Sequence, residues 1–99
     1  MIVVNAVVTS NPQDIAALQS AIHTMEVASR EESGCSDYTF SVELNNPNIL
    51  RITEKWHDVE ALKAHMATPH MAEFQSAMGM HPPASLDVTF YEVTEIQPF

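Results

Sequence analysis

The opening run Ile2-Val3-Val4-Asn5-Ala6-Val7-Val8-Thr9 puts apolar residues on both sides of an extended chain. Ile2, Val4, Ala6 and Val8 take one side, while Val3 and Val7 take the other beside Asn5 and Thr9. This β-branched run predicts a strand that needs cover on each face, which commits the chain to a sheet with something packed on both sides. Ninety-nine residues suffice for one core and leave little volume for a deep private pocket. One domain over residues 1–99 is expected, and a large ligand site would recruit a second chain.

Asn11-Pro12 supplies an N-cap and a helix-start proline, with Asp14 in the first turn. Ile15, Leu18, Ile22 and Met25 then form one apolar stripe, and the helix is expected to end near Glu32, with Gly34 as a left-handed cap. Tyr38, Phe40, Val42 and Leu44 alternate with polar residues, predicting a strand. Asn45 to Asn48 reads as a turn, and Ile49 to His57 as the returning strand of a hairpin, with Leu50, Ile52, Glu54 and Trp56 on one side. Asp58 caps a second helix whose Ala61, Leu62, His65 and Met66 share a face. Thr68-Pro69 breaks that helix and restarts it to about Met78, with Gly79 as the stop, and Leu86 to Val93 makes a last strand. The order βαββ, broken helix, β predicts one mainly antiparallel sheet with its helices on a single face. Val3 and Val7 on the uncovered face then point to a homodimer joined sheet to sheet.

Thirteen acidic residues against four scattered basic ones (Arg30, Arg51, Lys55, Lys63) leave a net charge of -9. Such a surface repels phosphate backbones and anionic bilayers, so neither nucleic acid nor a membrane is an expected partner. No apolar run exceeds four residues, too few for a spanning helix or a leader core. With a lone Cys35, this points to the cytoplasm.

Polar residues on inward-facing stripes are the candidates for chemistry, because burying them costs free energy unless they find partners. Tyr38, Glu54, His65 and His70 qualify. Glu54 and Trp56 on one strand face read either as a ligand wall or as an edge carboxylate beside a core ring. His65 reads either as a satisfied core residue or as a base, with Glu54 as the carboxylate that would fix its tautomer. Four methionines around the helix break (Met66, Met71, Met78, Met80) are core packing or an adaptable lining. His65 and His70 are five apart across Pro69 and no paired-cysteine set exists, so no metal is expected. No glycine-rich phosphate loop or nucleophile elbow is present either.

The stretches Glu31-Glu32-Ser33-Gly34-Cys35 followed by Tyr38, then Glu54-Lys55-Trp56, then Ala64-His65-Met66-Ala67-Thr68-Pro69-His70 carry a wider pattern. The chain resembles the antibiotic biosynthesis monooxygenase domain family, and its last stretch looks most like the small bacterial quinol monooxygenases. That resemblance implies an α+β, ferredoxin-like βαββαβ fold with a broken second helix, two copies forming a dimeric barrel. It implies cofactor-independent oxidation of a quinol or polycyclic phenol by molecular oxygen. Carried over to this chain, His65, His70 and Glu54 are the catalytic candidates, with Trp56, Tyr38, Met66 and Phe74 around the substrate. On this reading His65 is the base, Glu54 orients it, His70 steadies an oxyanion and Trp56 stacks on the ring. First-strand Ala6 stands where haem-degrading members carry asparagine, which weakens that activity. The same motif also looks like an autoinducer-processing isomerase acting on a small phosphosugar, and the fold also serves as a non-catalytic ligand-binding dimer.

Overall fold

The computed structural model describes residues 1–99. In chain order the elements are β1 (Ile2–Thr9), α1 (Pro12–Arg30), β2 (Cys35–Glu43), β3 (Asn46–Trp56), α2 (Val59–Met66), α3 (Pro69–Met80) and β4 (Ser85–Glu92). The strands form one sheet in the order β2-β3-β1-β4 with every neighbouring pair antiparallel, a ferredoxin-like α+β fold. No helix is long and apolar enough to cross a membrane.

Local signals account for most element boundaries. The Asn11 side chain accepts from the Asp14 amide at 2.9 Å and opens α1, while Asp58 does the same for α2 through the Ala61 amide at 2.8 Å. Thr68 accepts from the Met71 amide, and Pro69 follows at the first position of α3. Two glycine expectations are corrected. Neither Gly34 nor Gly79 has a positive φ, so neither is a left-handed cap. Helix α1 ends earlier than expected, at Arg30 with Glu31 as its cap, and α3 runs through Gly79 to Met80. Gly34 is required for another reason: a Cβ there would overlap the Cβ of Ala61, so its bare backbone lets the turn after α1 press onto α2. The turn between β2 and β3 is also tighter than expected, since Asn46 to Asn48 already belong to β3.

The helices lie on the side of the sheet that carries Ile2, Val4, Ala6, Val8, Tyr38, Leu50, Ile52 and Trp56, all buried together with Met25 and Phe74. Helix α1 packs on β2 and α3, and α2 on β3. Nothing covers the same side of β4. Leu86, Val88 and Phe90 register against Val8, Ala6 and Val4, yet stay about half exposed. The opposite face is more polar than the sequence suggested, because Asn5, Arg51, Thr53, Lys55 and Thr89 surround Val3, Val7 and Tyr91.

Candidate active site

Cross-strand register brings the first polar pair together. Tyr38 on β2 stands opposite Glu54 on β3, and Glu54 stands opposite Val4 on β1, all facing the helices. The position of β2, an edge strand, is fixed by α1. Arg30 Nε donates to the Tyr38 carbonyl at 2.9 Å, and Glu26 accepts from the Phe40 amide at 2.8 Å. These two bonds satisfy outward-facing backbone groups of the edge and hold Tyr38 in place. Sequence patterning gives no sign of either, because both residues sit on what reads as the solvent side of α1.

Tyr38 and Glu54 line a cavity of about 420 Å³ between the sheet and the α2–α3 break. Thirteen of its fifteen lining residues are apolar, among them Met66, Met71, Phe74 and Met78, with Gln75 as the other polar member. The helix-side residues of β4 close one wall. Of the residues expected around a substrate, Tyr38, Met66 and Phe74 therefore border the cavity. Trp56 does not: its ring is wholly buried, edge-on to Tyr38 at 6.3 Å. Its indole Nε1 donates to Glu54 Oε1 at 2.8 Å, so the tryptophan orients the carboxylate instead of presenting a stacking surface.

The expected pairing of Glu54 with His65 is likewise corrected. His65, with no exposed surface, wedges between Trp56 and Tyr38 at centroid distances of 4.6 and 5.3 Å. Its Nδ1 lies 2.7 Å from Oε2 of Glu32, and the same oxygen is 2.8 Å from Nε2 of His70. The carboxylate that holds His65 is thus Glu32, and it holds both histidines. Three breaks in regular structure assemble this group: the turn after α1 pressed down at Gly34, the last turn of α2, and the first turn of α3. Glu32 escaped the sequence reading because it lies in a turn, where periodicity carries no facing information. Its one mark was its place in the Glu31-to-Cys35 stretch that carries the family resemblance.

Burial dominates the electrostatics. It raises the Glu54 carboxyl above its ordinary 4.5; the Trp56 hydrogen bond and His65 pull it back down, and the Glu32 charge adds slightly to the rise. Burial, reinforced by the Glu54 charge, raises the Tyr38 phenol far above its usual range, so Tyr38 is a neutral hydrogen-bond donor throughout the physiological range. Burial also pushes the Cys35 thiol up to about 11, against a lowering bond to the Asp37 carbonyl, which leaves it a poor nucleophile. The wall thus offers one carboxylate, one phenol and the Gln75 amide to anything that enters.

A family model described as antibiotic biosynthesis monooxygenase matches residues 1–77. The Bacillus subtilis (strain 168) protein named "Putative monooxygenase YcnE" is 30% identical over 95 residues, covering 96% of this chain and all of that one. Among solved structures, one described as a putative antibiotic biosynthesis monooxygenase from Deinococcus radiodurans superposes with a TM-score of 0.90 at 26% identity, covering 100% of this chain and 98% of that one. Rv0793 from Mycobacterium tuberculosis shares the fold, with a TM-score of 0.85 at 22% identity over 96% of each chain.

Proposed function

The chain belongs to the antibiotic biosynthesis monooxygenase family, and from that premise we propose that it oxidises a quinol or polycyclic phenol with molecular oxygen, the substrate supplying the electrons. The supporting observation is the apolar cavity whose wall carries one buried carboxylate opposite one neutral phenol. A flat aromatic ring suits such a lining. A phosphosugar does not, since no lysine or arginine borders the cavity and Glu54 would repel the phosphate.

Glu54 takes the phenolic proton. An ordinary phenol near 10 and a glutamate at its ordinary 4.5 differ by roughly 7.5 kcal/mol, and every unit by which burial raises Glu54 removes about 1.4 kcal/mol from that gap. Tyr38, donating to the forming phenolate, narrows it further. The phenolate passes one electron to oxygen, and the radical pair joins at ring carbon as a peroxide, which takes back the proton held by Glu54 and becomes a hydroperoxide. Loss of water then leaves a hydroxylated quinone, so quinol and oxygen become hydroxyquinone and water. His65 and His70 stand behind this wall and do not border the cavity.

We place the reaction in a cytoplasmic homodimer, because the half-exposed wall of β4 needs a second copy to keep water out of the cavity. The test is an oxygen electrode with purified protein and separate quinol and phosphosugar panels. Oxygen uptake with at least one quinol and none with the sugars is expected. No uptake with any quinol would remove the assignment.

A further inference from the structure

Glu32, His65 and His70 form a group that the proposed oxidation leaves largely unexplained, since none of the three borders the cavity. His65 Nδ1, His70 Nε2 and a Glu32 carboxylate oxygen all lie within 4.8 Å of one another. We propose that these three residues bind a divalent transition-metal ion of the zinc class, clipping the turn after α1 to the α2–α3 break. The proposal does not rest on the monooxygenase reading.

The donor set is the first support. Two imidazoles and a carboxylate with one open position suit zinc and its borderline neighbours, not calcium or magnesium. Histidine spacing had argued against a metal, but the helix break at Thr68-Pro69 turns a five-residue separation into two nitrogens meeting one oxygen. Metal bonds of about 2.0–2.2 Å imply ligand atoms roughly 3.3 Å apart in a tetrahedral site. Glu32 would retreat about 0.5 Å from each ring, and the two histidine nitrogens, within 4.8 Å of each other, would close to the same separation by a turn of the less buried His70 side chain.

The second support is a buried atom without a partner. The bond to Glu32 draws the ring hydrogen of a neutral His65 onto Nδ1, leaving the Nε2 lone pair buried and unpartnered. A cation on Nδ1 reverses the tautomer. Nε2 then carries the hydrogen, which the charge of the Glu54 carboxylate favours over a bare lone pair, with no hydrogen bond joining the two.

Charge is the third. Glu32 pairs only with the two histidines and Glu54 only with the Trp56 indole, so neither carboxylate has a lysine or arginine partner. A divalent ion would balance them inside a chain of net charge -9. It can arrive from outside, because Glu32 also borders an open groove of about 310 Å³ together with His57 and Asp58.

The test uses untagged full-length protein, titrated with Zn²⁺ by calorimetry and with Co²⁺ by visible absorption. One ion per chain is expected, with the intense d–d bands of a four-coordinate Co²⁺ site. Both Glu32→Gln and His70→Ala should weaken binding at least tenfold, and His81→Asn, beyond the cluster, should leave it unchanged. Should Glu32→Gln fail to fold by circular dichroism, His70→Ala and the cobalt spectrum decide alone. Failure of the wild-type chain to bind either ion, or binding that survives His70→Ala, overturns the site. Oxygen uptake by metal-free protein is scored separately, so the two proposals fail independently.

Discussion

Glu54 is a buried carboxylate whose only hydrogen-bond partner is the Trp56 indole, and two opposite consequences follow for one substitution. Glu54→Gln removes the proton acceptor and should cut quinol-dependent oxygen uptake at least tenfold. It should also stabilise the fold at neutral pH. The folded chain holds the Glu54 proton more tightly than the unfolded chain, so wild-type stability falls as pH rises from about 4.5 through the raised folded value. Thermal melts should therefore show the glutamine variant melting above wild type at pH 7 and the two converging below pH 4; a variant that melts lower at pH 7 contradicts the assignment. Trp56→Phe deletes the bond that lowers the carboxyl, so the acid limb of the rate profile should move to higher pH. Strand parity made Glu54 and Trp56 legible as neighbours, since one face of β3 needs only alternation, and marked Tyr38 as inward-facing on its own strand. It could not show that the indole points its N–H at the acid, nor that Glu32 takes the place expected of Glu54 beside His65. Those facts depend on side-chain rotation and on a contact across 33 residues.

At the scale of elements, caps were readable and glycines were not. Asn11, Asp58 and Thr68 each announce a helix through a side chain three residues from the amide it satisfies, which is local chemistry. Gly34 looked like a cap by the same local logic, yet its φ is negative and what it accommodates is Ala61, a residue on another helix. Gly34→Ala should lower stability by about 1–3 kcal/mol through overpacking, measured by chemical denaturation. The same change lifts the turn that carries Glu32, so Zn²⁺ binding should weaken with it. An alanine variant as stable as wild type would show that the close approach is not needed. The clasp of Glu26 and Arg30 on the β2 backbone was equally hidden, because helical periodicity assigns both to solvent.

Over the whole molecule, the sheet is covered by helices over β2, β3 and β1 but not over β4, whose inner side chains are half exposed while forming one wall of the cavity. The order of elements and the antiparallel arrangement were legible because each segment has its own period and caps. The uncovered wall was not, since the alternation of β4 is the same whether or not a helix lies above it. Light scattering should give twice the chain mass of 11.0 kDa. A monomer at micromolar concentration would contradict the homodimer. The central claim is that Glu54 starts the oxidation of a phenol bound in this cavity, and oxygen-18 gas tests it most directly. Wild-type protein turning over a quinol should yield a hydroxyquinone carrying one heavy oxygen atom, and Glu54→Gln should yield almost none. A product without the label, or equal labelling by both proteins, would contradict the account.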